Sequence, residues 1–129
     1  MANEITYKVS LSVSKGGAAI DSGTISDTVT MTGTDMQTAT QLVGYHATTA
    51  EALSFNSTDI NGNVHFVITV LGDYPVKVST LATFSSDSII SYLQPGESAS
   101  FRGIDCEKIF LVATTASFDS LVQFWICEV

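Results

Sequence analysis

The chain has 129 residues, a length that suits one domain, and carries 13 Asp and Glu against 5 Lys and Arg for a net charge of −8. That balance argues against nucleic acid, because phosphate contact relies on clustered Lys and Arg, and against anionic membrane surfaces for the same reason. Charged residues make up only 14% of the chain, and 16 Ser and 16 Thr take their place, as on exposed β-sheet faces, where Thr fits the pleat.

The first element is the clearest. Ile5, Tyr7, Val9, Leu11 and Val13 alternate with Thr6, Lys8, Ser10 and Ser12, a period of two that predicts a strand over 5–13. Lys15-Gly16-Gly17 predicts a turn, and Asp21-Ser22-Gly23 a second one. Thr28 to Thr34 alternates again, with Val29 and Met31 against threonines. Gln41 to Tyr45 reads as a short strand, and Thr49 to Leu53 as one helical turn capped by Thr48 or Thr49. Asn56 to Asn63 is a polar loop with the turn pair Asn61-Gly62 at its tip.

Val64 to Leu71 is apolar on both faces, with Val64, Phe66, Ile68 and Val70 on one and Val67 and Leu71 on the other. This predicts a central strand covered on both sides, or buried partly by another subunit. After the turn Gly72-Asp73-Tyr74-Pro75, Val76 to Ser79 reads as its partner strand. Ile89 to Leu93 is followed by Gln94-Pro95-Gly96-Glu97, a type II turn by its Pro-Gly centre, and then by a strand through Ala99, Phe101 and Arg102. Ile109–Ala113 and Leu121–Cys127 read as the last pair. Eight to ten short strands without a long helix predict an all-β chain, a single antiparallel sandwich domain over residues 1–129, jelly-roll-like.

Catalytic parts are scarce. There are two histidines, His46 and His65, and one arginine, with no metal-binding His or Cys spacing, no GxSxG and no phosphate loop. Asp59, Asn61 and Asn63 alternate oxygen ligands but lack the downstream Glu of a calcium loop. The reading is no enzyme, no cofactor and no metal. Cys106 and Cys127 are expected to stay reduced thiols, since their settings differ and Cys106 lies between Asp105 and Glu107. Free thiols suit a reducing cytoplasm, and neither a signal peptide nor a membrane-spanning run is indicated.

Trp125, Phe124 and Tyr92 raise one alternative, a carbohydrate-binding sandwich with an aromatic platform; Trp125 shares a face with Leu121 and Cys127, which favours core or interface. The apolar surplus points to assembly. A sandwich has one core between its sheets, so an outward face bearing Val67 and Leu71 needs other cover, and Val122, Phe124 and Ile126 repeat the problem opposite Leu121 and Trp125. Val67, Leu71, Val122, Phe124 and Ile126 are therefore the candidate protein interface of a homo-oligomer. The competing cover is the segment Asp35–Asn56 folded over one face.

The run Tyr92-Leu93-Gln94-Pro95-Gly96-Glu97, then Phe101-Arg102, then Thr114-Thr115-Ala116 and a closing strand ending at Glu128 resembles a pattern in small virion proteins of tailed bacteriophages. The opening, Met1 to Ile5 with an alternating strand and Lys15-Gly16, is similar too; the insertion Ser85-Ser86-Asp87-Ser88 departs from it. The resemblance implies a structural protein of the virion, a capsid decoration or cement protein. It would bind the major capsid protein or other virion proteins, with a tail, baseplate or head-fibre component as the alternative. Assembly in the host cytoplasm and a trimer follow from the same likeness, because capsid lattices offer threefold positions.

Overall fold

The computed structural model describes residues 4–30 and 36–129. Contacts divide the chain into two units, Met1–Thr32 and Gly33–Val129. The last residues of the predicted strand Thr28–Thr34 lie outside the described residues.

The first unit is a hairpin of β1 (Glu4–Lys15) and β2 (Ala18–Thr30). Gly16 and Gly17 close it at φ +59° and +84°, the pair of positive φ values that a two-residue hairpin loop of the right twist requires. The predicted turn at Asp21-Ser22-Gly23 is absent. The register shifts there instead, between Ser10 and Ser12 on β1, so the glycine marks a bulge inside one long strand.

The second unit is an antiparallel sandwich. One sheet orders its strands β3-β10-β5-β8, and the other β4-β9-β6-β7. Their spans are β3 Met36–Val43, β4 Glu51–Ala52, β5 Asn63–Val70, β6 Val76–Ser79, β7 Ile89–Leu93, β8 Ser98–Asp105, β9 Phe110–Ala113 and β10 Ser120–Glu128. A 3₁₀ turn, Cys106–Lys108, joins β8 to β9, with the Asp105 side chain accepting from the Glu107 N–H. No helix among the described residues is long and apolar enough to cross a membrane.

The pairings are nested: β3 with β10, β4 with β9, β5 with β8 and β6 with β7. This corrects two expectations. β6 does not pair with β5 but crosses to the other sheet, and β9 and β10 also lie in different sheets. The Pro95-Gly96 turn forms as expected, with Gly96 at φ +84° and the Glu97 N–H donating to the Gln94 carbonyl at 3.0 Å. It carries the chain between sheets rather than closing a hairpin. The helical turn at Thr49–Leu53 is replaced by β4, whose end is held by the Leu53 N–H on the Ile109 carbonyl.

The core lies between the sheets. Phe66, Ile68, Val70, Val122, Phe124 and Ile126 from one sheet meet Val76, Val78 and Leu111 from the other, all fully buried. Phe66 stacks beside Phe101 with ring centroids 6.0 Å apart and meets Phe124 at 6.3 Å, spacings favourable for aromatic pairs. Ile60, in the predicted polar loop, is fully buried. At the sandwich edge, Gln37 and Gln41 of β3 bond the backbone of Ala52, Ser54 and Asn56, satisfying groups that no strand pairs. Both cysteines are free and buried, and burial raises each thiol pKa, with Asp105 and Glu107 adding to the effect at Cys106. Removing the Phe124 ring from the centre of this core is expected to cost about 3–5 kcal/mol. Urea unfolding of Phe124→Ala checks it, and a loss below 1 kcal/mol would contradict this packing.

Candidate functional site

The alternation of β10 divides the predicted interface residues. Val122, Phe124 and Ile126 are 0% exposed in the monomer, so they build the core and are not free to form an interface. The opposite positions are Leu121, Gln123 and Trp125, which face outward, and Cys127, which shares their side of the strand but is buried. Of the predicted set, Val67 and Leu71 lie on this outer side, Val67 partly exposed and Leu71 51% exposed.

Register builds the outer face row by row. Leu42 lies beside Leu121, and the Leu71 N–H reaches the Leu121 carbonyl at 2.9 Å to extend that row past the end of β5. Gly72 makes the approach possible: a Cβ there would come within 2.6 Å of the Leu121 nitrogen. The next row is Thr40, Gln123, Thr69 and Ser98, with the last two hydroxyls 2.7 Å apart. Then come Thr38, Trp125, Val67 and Ser100, and finally Met36, Cys127, His65 and Arg102. A bulge lets His65 meet Arg102: the extra residue, Gly103, stands at φ +74°, a conformation that favours glycine.

This face holds half of the exposed large apolar side chains found among the described residues. Met36, Leu42, Leu71, Leu121 and Trp125 are 64%, 61%, 51%, 37% and 36% exposed. No carboxylate falls in any of the four rows, and Arg102, at one corner, is their only full charge. The polar row through Thr40, Gln123, Thr69 and Ser98 divides this apolar surface in two, and exposed apolar patches rimmed by polar residues mark interaction sites. The segment Asp35–Asn56, the other expected cover, does not lie over the face; its described part supplies the sheet's own edge strand, β3, and then β4.

The outer side of the second sheet holds a cleft of about 190 Å³ lined by Tyr45, His46, Lys77, Phe84, Val112 and Thr114, among others. Lys77 Nζ stands 5.9 Å from the Phe84 ring centre and 5.7 Å from that of Tyr92, and His46 Nε2 lies 3.2 Å from Glu51 Oε1. Neither Trp125 nor Tyr92 lines the cleft. Asp59, of the calcium-like spacing, instead accepts from the Asn56 amide at 2.8 Å. Among the described residues no three His, Cys, Asp or Glu gather as a metal site.

Comparison with protein-family models, with curated proteins and with solved structures finds no match.

His65 gives the outer face a pH dependence. It is buried, its Nε2 lies 2.7 Å from Ser100 Oγ, and its pKa is lowered from the ordinary 6.5 by burial first and by the Arg102 charge second. The unfolded chain therefore takes up a proton near 6.5 while the native chain does not. This contribution to stability is complete above that pH and is lost as pH falls toward the lowered native pKa. The urea midpoint is expected to drop between about pH 7 and pH 5, and less so in His65→Gln, both in a His46→Gln background. Equal slopes in the two proteins would refute the assignment.

Proposed function

We propose that this chain is a non-enzymatic structural protein of a bacteriophage virion. In this reading it is a capsid decoration protein that seats the outer face of β3-β10-β5-β8 on the major capsid protein lattice and stabilises the head. The observation that carries the reading is the carboxylate-free apolar face on an otherwise acidic chain. Cores of protein interfaces are depleted of charge and enriched in Met and aromatic residues, and Trp is a frequent anchor. Leu121 and Trp125 on the inner strand β10, with Met36 at the margin of the face, fit that description.

Two further features support it. The nested strand pairing is that of a ribbon rolled on itself, which we read as a jelly roll, an architecture used by viral capsid proteins as well as lectins and cupins. The resemblance at Pro95-Gly96-Glu97 and Phe101-Arg102 supplies the kind of partner. Location on the virion surface after assembly in the host cytoplasm follows from it. The sugar-binding alternative rests on Tyr92, exposed with its ring 5.7 Å from Lys77 Nζ of the cleft, and Trp125, on the other sheet, adds nothing to it.

The test is co-sedimentation of the purified chain with parent-phage heads that lack it, and with isolated tails. Retention on heads is expected, together with a loss of affinity of tenfold or more in Leu121→Asp/Trp125→Asp. Retention on tails alone would move the protein to the tail, and unchanged retention of the double variant would exclude this face.

A further inference from the structure

The β1–β2 hairpin carries an inference of its own. Strands of 12 and 13 residues make a ribbon roughly 40 Å long at about 3.3 Å per residue. A two-stranded ribbon is marginally stable in water, because it has one apolar side and no second layer to cover it. Here the register sets Ile5 opposite Val29, Val9 opposite Ile25 and Val13 opposite Ile20. Tyr7 and Leu11 share the parity of Ile5, Val9 and Val13.

The bulge keeps that side continuous. Val9 to Val13 advances four positions on β1 while Ile25 to Ile20 advances five on β2. Without the extra residue at Ser22-Gly23, Ile20 would fall on the opposite side of the pleat. The other side carries Thr6 with Thr28, Lys8 with Ser26, and Ser10 with Thr24, and Thr6 and Lys8 are exposed. A ribbon phased to hold one apolar side along its whole length is built to have that side covered.

Charge distribution identifies the cover. Residues 33–129 hold ten of the 13 acids against Lys77, Arg102 and Lys108, whereas Met1–Thr32 holds Glu4, Asp21 and Asp27 against Lys8 and Lys15. Copies of the acidic unit repel one another, so the near-neutral hairpin is where two copies approach at the lowest electrostatic cost. Two charges of opposite sign fall at register positions of the apolar side, Asp27 opposite Tyr7 and Lys15 opposite Ala18 next to the turn. We propose that the hairpin is an assembly arm, its apolar side packing against the same side of the hairpin in other copies of this chain to form a closed homo-oligomer. This moves self-association away from Val67, Leu71 and the β10 residues. It does not depend on what the outer sheet face binds: Leu121→Asp/Trp125→Asp should leave the oligomer mass unchanged.

Light scattering on the full chain at micromolar concentration tests it. A mass at an integral multiple of 13.7 kDa is expected, falling to the monomer in Val9→Lys/Ile25→Lys while emission from Trp125, the only tryptophan, reports an intact sandwich. Thr6→Lys/Thr28→Lys, on the other side of the ribbon, should keep the multiple. A monomeric wild-type chain, or an undiminished mass in Val9→Lys/Ile25→Lys, would overturn the proposal. Should that variant unfold, Val9→Cys in the otherwise intact chain decides. Mild oxidation should give a covalent dimer that Lys8→Cys does not, and failure to cross-link at position 9 would overturn the arm equally.

Discussion

The sandwich depends on the seating of β10 between β3 and β5. That strand pairs on both sides along most of its length, so its pleat sets the facing of three strands together. With Val122, Phe124 and Ile126 inward, Phe66, Ile68 and Val70 must also point inward, and Leu121 and Trp125 must look out beside Leu42 and Val67. A slip of one residue would exchange the two sets, sending the Phe124 ring into water and closing the indole of Trp125 into a space shaped for Phe124 or Ile126. Core and outer face are two sides of the same register.

Local alternation and turn chemistry were readable from the residues. β1, β5, β7 and β10 lie where period two or an apolar run put them, and Pro95-Gly96 turns as its φ preferences require. Pairing was not readable, because alternation tells which side of a strand is apolar and says nothing about its neighbour. Proximity in the chain makes β6 the expected partner of β5 and β10 that of β9, whereas the chain crosses between sheets after β5 and again after β9. Gly23 misled for a related reason: a glycine serves a turn or a bulge equally well.

The face was half legible. Val67 and Leu71 lie on the outward side as read, but Val122, Phe124 and Ile126 do not. A strand apolar on both sides gives no direction by apolarity alone. Gln123 held the missing signal, since it shares the parity of Leu121 and Trp125 and a polar side chain marks the wetter side. Leu42 and Met36 could join the face only once β3 was known to border β10, a long-range fact that no local pattern encodes. The acids separate themselves as well: Asp59, Asp73, Asp87, Glu97 and Asp119 sit in the connections, so repulsion falls at the rims and leaves the sheet face without carboxylates.

The nested order of the strands has a kinetic consequence. Within the sandwich only β6 and β7 are near neighbours in the chain; each pair outside them closes a longer loop, and β3 waits for β10. Loop-closure entropy is spent before the reward of pairing arrives, which slows folding in topologies dominated by distant contacts. On the ribosome, the β6–β7 hairpin can form early, while β3, the first strand of the sandwich, stands with an unpaired edge until β10 has emerged. Met36, Thr38, Thr40 and Leu42 are then exposed on a strand with no partner, so crowded expression should favour mispairing between nascent chains at this strand before any other.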